Sequence, residues 1–243
     1  MKKIISILFL LSVVNTINGQ EIKKEHSSSW NSIIPKVKLN EHWYLASEFH
    51  FRRTNFLQDW EQIIVRPSVH YKPNTTYDFS IGYSYIKNYA FSDFSNPINA
   101  NEHNIWQQIA LSHSSGKIKF IHRFRLEERF IDNIIIPSEG NYAIDGTNYK
   151  NRFRYRVTLK RPILKVKDKK YISLKIFDEL WMNLNKGIRP KNFNQNWFYV
   201  GLDYPLDKQF TLSMGYHNIG LKGNSNTFIT NHILQTTVSY AIN

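Results

Sequence analysis

Two segments of this sequence alternate between charged and mostly apolar residues, and this alternation constrains the fold more than any other feature. In residues 120–130 the charged positions Arg123, Arg125, Glu127 and Arg129 alternate with side chains such as Phe124 and Leu126. In residues 151–161 the charged positions Arg152, Arg154 and Arg156 alternate with Phe153, Tyr155 and Val157. Because successive side chains of a strand point to opposite faces, both segments are predicted to be β-strands with one apolar and one charged face.

A strand of this kind fits two architectures. In a soluble β-sandwich the charged face meets water, and the apolar faces of two sheets stack to form the core. In an outer-membrane β-barrel the apolar side chains face lipid and the polar ladder lines the interior. The number of strands and the pattern of their connections decide between these two alternatives.

Further alternating segments occupy most of the chain. From Trp43 to Tyr240 the pattern predicts ten strands of roughly nine to thirteen residues, the length that a tilted strand needs to cross a membrane. Short turns are predicted near residues 73, 115, 165 and 206, and longer loops at 92–102, 132–150, 183–195 and 218–230, with 132–150 the longest. This alternation is typical of outer-membrane barrels, which have short periplasmic turns and longer external loops.

The N-terminal residues predict export. Lys2 and Lys3 precede a short apolar run over residues 4–14, and Gly19 supplies a small residue for cleavage, so residues 1–19 are predicted to be a signal peptide. Residues 20–243 are then a single β-barrel domain. Within it, residues 20–40 are either an N-terminal segment inside the lumen or an extra strand, and Pro35 is an objection to the strand.

The absence of cysteine supports the same fold class. An exported chain of 243 residues with no Cys has no disulfide to stabilise it, whereas closed backbone hydrogen bonding within a membrane would suffice. Aromatic residues make up 15% of the chain and recur near predicted strand ends, as the interfacial girdles of a barrel require. We therefore predict an all-β, antiparallel, up-and-down transmembrane β-barrel of 10–12 strands in the outer membrane, preceded by a signal peptide.

The charge balance indicates which partners to expect. The formal net charge is +13, and an exported chain rarely meets nucleic acid, so we predict no nucleic-acid partner. Outer-membrane lipid, anionic lipopolysaccharide and small anionic solutes are the predicted partners. No motif predicts a cofactor, and the nine histidines show no metal-ligand spacing, so neither a cofactor nor a metal site is predicted. The oligomeric state is left open.

The charged faces of the two arginine strands form the predicted site. Because one connection joins these strands, they should pair antiparallel and bring like charges together, which is destabilising. The basic ladder of the lumen is Arg123, Arg125, Arg129, Arg152, Arg154 and Arg156, and its predicted carboxylate partners are Glu48, Glu127, Glu179 and Asp203. One interpretation is an ion-paired network that makes the lumen rigid, and the other is a basic constriction that favours anions in a narrow channel or binding lumen.

Two other functions remain open. His113 and Ser115 share a strand face, and this His-x-Ser pair resembles the one in outer-membrane phospholipases and lipid A deacylases, which suggests a lipid-modifying hydrolase. No convincing third member of a catalytic relay is apparent, and Ser115 lies in a predicted turn. The remaining alternative is a soluble exported binding module with a β-sandwich.

Several short motifs carry a resemblance to a known family. They are Trp43 with Arg52-Arg53, residues 104–108 (NIWQQ), 122–129 (HRFRLEER), 151–156 (NRFRYR), 178–181 (DELW) and 197–202 (WFYVGL). Together they resemble the domain-of-unknown-function 2490 family of exported β-rich proteins of Gram-negative bacteria, over nearly the whole of residues 20–243. The resemblance implies an outer-membrane barrel, and it implies no activity.

Overall fold

The computed structural model describes residues 22–93, 95–167, 170–184, 193–223 and 227–242, which form eleven β-strands in one closed barrel. The strands are β1 (Ile22–Lys38), β2 (Trp43–Thr54), β3 (Asp59–Tyr71), β4 (Tyr77–Asn88), β5 (Ala100–Ser115), β6 (Ile118–Ser138), β7 (Asn141–Lys167), β8 (Lys170–Asn183), β9 (Phe193–Pro205), β10 (Phe210–Lys222) and β11 (Thr227–Ile242). Within these ranges no helix is long and apolar enough to cross a membrane. The predicted barrel fold is confirmed, and the predicted signal peptide lies outside the described residues.

The barrel closes through a parallel pair of strands. Each strand pairs antiparallel with its neighbours in sequence, but β1 and β11 pair in parallel. An up-and-down meander with an odd number of strands has its first and last strands pointing the same way, so its seam must be parallel. Residues 22–38, for which the sequence left two alternatives open, form β1, a strand in addition to the ten predicted from Trp43 to Tyr240.

Two prolines explain local gaps in the hydrogen-bonded ladders. Pro35 lies where the register between β1 and β2 skips from Ile33 to Lys36, and Pro67 lies where the register between β3 and β4 skips from Val65 to Ser68. Proline has no backbone N–H to donate, so each ring removes ladder hydrogen bonds. Both strands nevertheless continue past the proline, because the ladder on the other side of each strand is intact.

The two arginine segments form the centre of a long β6–β7 hairpin. The two strands pair antiparallel as predicted, with Arg125 opposite Arg154 and Arg123 opposite Arg156. The prediction that residues 132–150 form the longest loop was wrong, because the hairpin continues through them to a turn at residues 139–140. Register shifts on either side of the pairs made by Ile134 and Ile135 interrupt the two-residue alternation. The sequence pattern therefore does not indicate a strand here.

The other connections follow the prediction less closely than expected. The loop predicted at 92–102 lies between β4, which ends at Asn88, and β5, which begins at Ala100. Within the loop predicted at 218–230, β10 continues to Lys222 and β11 begins at Thr227, and residues 224–226 lie outside the described residues. Near residue 55, where the alternation of connections predicts a longer loop, residues 55–58 form only a short turn between β2 and β3. Long and short connections therefore alternate less regularly than predicted, while residues 185–192 of the loop predicted at 183–195 lie outside the described residues.

The turns between β1 and β2, between β3 and β4, and between β9 and β10 are stabilised by the same kind of hydrogen bond. Asn40, Asn74 and Asp207 each accept hydrogen bonds from the backbone amides two and three residues later, at 2.6–3.0 Å. Asx side chains favour tight turns because they bind their own backbone in this way. The amides of Phe210 and Gln209 also hold the pKa of the exposed Asp207 carboxyl below its ordinary value.

The two faces of the barrel wall differ sharply in chemistry. Large apolar side chains are exposed on the outer face, among them Leu45, Phe51, Val69, Ile81, Ile105, Ile109, Phe124, Leu126, Leu180, Phe198, Leu202, Met214 and Leu234. The inner face buries charge, since Arg125 is 2% exposed and Glu179 is fully buried. This arrangement excludes the sandwich alternative, in which the apolar rows would stack between two sheets.

Candidate functional site

Glu179 on β8 is the hub of an ion-paired network inside the barrel. Its carboxylate accepts hydrogen bonds from Arg154 at 2.9 and 3.1 Å, from Arg156 at 2.5 and 3.0 Å, and from Arg123. These three arginines come from the adjacent strands β6 and β7, whose register places Arg123 beside Arg156. One fully buried carboxylate therefore holds three guanidinium groups that would otherwise repel one another.

Glu127 on β6 is the second carboxylate of the network. It accepts hydrogen bonds from Arg152 at 2.6 Å and from Arg154 at 2.8 Å, and Arg125 lies 3.9 Å away. Arg154 therefore binds both Glu127 and Glu179 and joins the two halves of the network. The arrangement matches the ion-paired interpretation of the arginine ladder.

The other two carboxylates that the sequence singled out lie apart from this network. Glu48 pairs with Arg66 at 2.8 Å, and Asp203 pairs with Lys160 at 2.5 Å. Neither makes an ion pair with the six arginines of the ladder in the described part of the chain. Sequence reasoning did not include Arg66 or Lys160 in the site, although both occupy positions whose spacing along their strands points inward.

Glu102 is a site residue that sequence reasoning missed. Its two carboxylate oxygens each accept a hydrogen bond of 2.7 Å from Arg129, in the two-pronged geometry that suits guanidinium and carboxylate. The residue had been assigned to the loop over 92–102. The two-residue spacing from Trp106 through Asn104 continues to Glu102, and that signal could have placed it on the inner face of β5.

Aromatic rings lie against several guanidinium groups of the network. Arg154 and Arg152 lie over Trp181, at 3.6 and 4.1 Å from the ring centroid, and Arg125 lies 4.0 Å over Trp106. Such cation–π contacts stabilise a desolvated cation by about 2 kcal/mol. The alternation placed both tryptophans on the inner face, but it could not show which cations they would meet.

An aromatic and aliphatic cluster fills part of the same interior. Its buried members are Trp30, Phe177, Trp181, Trp197, Tyr199, Ile219 and Ile233, from strands β1 and β8–β11. Trp181 stacks on Trp197 with a centroid distance of 4.3 Å, and Trp30 meets Trp197 edge-on at 5.4 Å. The arginine network and this cluster are in contact, because Arg154 lies over the ring of Trp181 and Arg156 lies 4.0 Å over the ring of Phe177.

A cavity of 510 Å³ remains beside the network and the cluster. Ten cationic side chains line it, namely Lys36, Arg52, Arg66, Arg123, Arg129, Arg152, Arg154, Arg156, Lys160 and Lys175, against the three carboxylates Glu48, Glu102 and Asp203. Glu127 and Glu179 do not line the cavity, but they pair with arginines that do. The cations still outnumber the carboxylates when these two residues are counted. A second cavity of 390 Å³ lies beside the first and shares Trp30, Arg52 and Trp197 with it.

Three of the cavity's cations have no carboxylate partner within 4.0 Å among the described residues: Lys36, Lys175 and Arg52. Arg52 is instead held by Gln62 at 2.5 Å and by the ring of Trp30 at 3.5 Å. Lys175 lies 5.5 Å from the ring of Tyr199. The excess positive charge of the cavity is therefore concentrated on two lysines and one stacked arginine.

The His-x-Ser pair is exposed at the end of β5. The ring of His113 stacks on Phe120 at 5.0 Å and on His122 at 5.4 Å, and Ser115 ends the strand. Across the ranges that the structure describes, neither residue has a hydrogen bond or ion pair to a carboxylate. A hydrolytic relay needs an oriented base and nucleophile, and this arrangement does not assemble one.

Comparison with known proteins identifies a family but no activity. The profile of the family described as "Protein of unknown function (DUF2490)" matches residues 27–229. No curated protein gives a significant match. Among solved structures, the chain is similar to the translocator domain of autotransporter NalP from Neisseria meningitidis, with 12% identity, a TM-score of 0.47, and coverage of 81% of this chain and 73% of that one.

Proposed function

We propose that this chain, which belongs to the DUF2490 family, is an integral β-barrel of the outer membrane whose lumen binds small anions. The proposal rests on the difference in polarity between the outer and inner faces of the closed barrel wall. Apolar side chains are exposed outside, and a cavity inside is lined by ten cations against three carboxylates.

The outer surface supports a membrane location. A closed sheet satisfies its backbone hydrogen bonds within itself, which is the condition for a β-structure to cross lipid. Aromatic pairs lie near the strand ends, including Trp43 with Tyr71 at 4.8 Å and Phe210 with Tyr240 at 4.3 Å, and such girdles suit the lipid–water interface. Outer-membrane lipid and lipopolysaccharide are the surroundings that this proposal requires.

The cavity supports anion binding. Arg52, which is only 8% exposed, attracts anions more strongly than a surface cation does, because water screens it less. A volume of 510 Å³ is within the range of small-molecule sites. The excess charge thus favours a small anionic ligand rather than a macromolecule.

The packing of the middle of the lumen favours binding over free diffusion. Glu127 and Glu179 hold the arginines in fixed positions, and the aromatic cluster occupies the facing side. Barrels of this size have interiors that side chains largely fill. A solute can therefore be held in the cavity without an open path through the barrel.

A narrow anion channel is the second candidate. The two cavities share the side chains of Trp30, Arg52, Gln62, Asn88 and Trp197, so a rearrangement of these shared side chains would join them. Planar-bilayer recording separates the candidates. Binding without transport predicts no conductance from the purified protein, whereas a channel predicts anion-selective steps.

The test of the proposal combines location with ligand binding. Cell fractionation should place the protein in the outer membrane, and unboiled protein in detergent should migrate differently from boiled protein on a gel. Titration with malonate should change the fluorescence of the lumenal tryptophans, and choline should not. Recovery in the soluble fraction would contradict the location, and equal responses to malonate and choline would contradict anion binding.

A further inference from the structure

The arginine ladder is not a free anion site, because carboxylates of the barrel already pair with its guanidinium groups. Each of the six arginines of the ladder lies within 4.0 Å of Glu102, Glu127 or Glu179. An incoming anion would have to displace a buried carboxylate to reach these guanidinium groups. The remaining lysines of the cavity are the stronger candidates.

Two of these lysines face each other on neighbouring strands. Lys160 on β7 and Lys175 on β8 are opposite in register, and both side chains line the cavity. Like charges in opposite positions destabilise a sheet unless something compensates them. Asp203 binds Lys160 at 2.5 Å, so Lys175 is left without a carboxylate partner among the described residues.

Lys36 adds a third positive charge from another side of the cavity. It belongs to β1, which the barrel closure brings round to face the same space as Lys160 and Lys175. In the described part of the chain its ammonium group has no carboxylate within 4.0 Å. The three lysines and Asp203 together leave two positive charges uncompensated.

Hydroxyl groups complete this part of the wall. Thr211 on β10 and Ser239 on β11 are register partners, and both line the cavity. Within the described residues their hydroxyls make no hydrogen bond. By contrast, Ser213 donates to Asp203 at 2.6 Å, and Thr237 shares a hydrogen bond of 2.7 Å with Ser32. Thr211 and Ser239 are therefore available to donate to a ligand.

We propose that Lys36, Lys160, Lys175, Thr211 and Ser239 form a binding site for the phosphate group of a small molecule, a specific assignment that rests on the proposed anion-binding lumen. Ammonium groups act as point charges toward phosphate, and the neighbouring hydroxyls of Thr211 and Ser239 can donate hydrogen bonds to its oxygens. Planar carboxylates are matched better by arginine forks, and those of β6 and β7 are already paired. A dianionic phosphate would offset the two uncompensated charges.

The experiment is a calorimetric titration of the full barrel in detergent with inorganic phosphate and, separately, with malonate. The test variant is Lys36→Gln with Lys175→Gln, and the control is Lys208→Gln with Lys117→Gln, which removes two exposed lysines from turns. The parent and the control should bind phosphate more tightly than malonate. The test variant should bind phosphate about tenfold more weakly or worse, because it loses charge-assisted hydrogen bonds.

A second variant keeps the charges and removes one hydroxyl. Thr211→Val should weaken phosphate binding by about threefold to tenfold while it leaves malonate binding unchanged. The heat-dependent gel shift shows whether each variant has folded. Because the test variant removes like charges that lack partners, the barrel should retain this shift.

The outcomes separate this site from the broader function. Equal phosphate affinity in the parent and the test variant would overturn the lysine site and leave anion binding in the lumen intact. Malonate bound as tightly as phosphate would overturn the assignment to phosphate alone. Binding of neither anion by the parent would overturn the proposed function, and the phosphate site with it.

Discussion

Replacing Glu179 by Gln tests the energetic role of the arginine network. The carboxylate is fully buried and accepts hydrogen bonds from Arg123, Arg154 and Arg156. Gln has nearly the same shape, so the substitution removes the negative charge and leaves the packing in place. Three guanidinium groups then share a site that has lost its central anion.

The expected loss of stability depends on the carboxylate partners that each arginine retains. Arg154 keeps Glu127 as a partner at 2.8 Å, whereas Arg123 and Arg156 have no other carboxylate within 4.0 Å among the described residues. Removing one partner of a buried ion pair costs about 3–5 kcal/mol. Arg123 and Arg156 border the cavity and are 16% and 19% exposed, so water can reach them, and we expect about 3 kcal/mol.

The assay is urea unfolding of the barrel in lipid vesicles, followed by tryptophan fluorescence. Glu139→Gln is the matched control, because it removes the same charge from the exposed turn between β6 and β7. It should change the free energy of unfolding by less than about 0.5 kcal/mol. A loss below about 1 kcal/mol for Glu179→Gln would refute the argument that this carboxylate holds the arginines together.

A double-mutant cycle separates the pairwise interaction from other effects of the substitution. Arg156→Gln combined with Glu179→Gln should cost less than the sum of the two single changes, because each removes the charge that the other compensates. The coupling should lie between about 0.5 and 3 kcal/mol. Additive costs would show that Arg156 and Glu179 do not stabilise each other.

Three further substitutions test the wall and the turns in the same unfolding assay. Gly82→Ala should destabilise the barrel by about 1–3 kcal/mol, since the added methyl would overlap the ring of Trp106; unchanged stability would show that the ring does not lie against Gly82. Leu126→Arg should cost about 2–4 kcal/mol, because the proposed membrane location places this exposed position against lipid, while Leu126→Phe should cost little, and equal costs would contradict a lipid-facing position. Asn74→Ala should cost about 0.5–1.5 kcal/mol, because it removes the acceptor for the amides of Thr76 and Tyr77, and no loss would show that the turn does not need it.

The alternation of side chains was sufficient to predict the barrel wall. The period of two residues in segments 120–130 and 151–161 fixed which side chains share a face. The single connection between the segments then indicated antiparallel pairing, so the arginines of one strand could be predicted to lie beside those of the other, although the register that places Arg125 opposite Arg154 could not. These features depend on local backbone geometry, which can be inferred from the two-residue spacing of side chains in the sequence.

The partners across the lumen could not be predicted in the same way. Arg152 and Arg154 meet Trp181 from the next strand, and Arg52 meets Trp30 from β1, so these contacts depend on strand register and on barrel closure. Alternation gives the face of each residue but not its height along the barrel axis. For the same reason, Glu48 was named as a partner of the ladder although it pairs with Arg66.

Local irregularities account for the remaining errors. The strands over residues 132–150 contain register shifts and Gly146 with a positive φ of 68°, which break the two-residue period on which the prediction depended. Pro35 argued against a strand that nevertheless forms, because it only interrupts the ladder toward β2. Patterns of apolar residues therefore predict regular strands better than bulged or proline-containing ones.

Site-directed fluorescence on one strand tests the central claim most directly. The chain has no Cys, so Leu234→Cys and Gln235→Cys each provide a single labelling site at adjacent positions of β11, the first exposed outside and the second lining the cavity. In lipid vesicles, nitroxide groups on the acyl chains should quench a fluorophore at position 234 and leave one at position 235 unquenched. Equal quenching at both positions, or quenching at 235 alone, would contradict a barrel with an apolar exterior and a charged lumen.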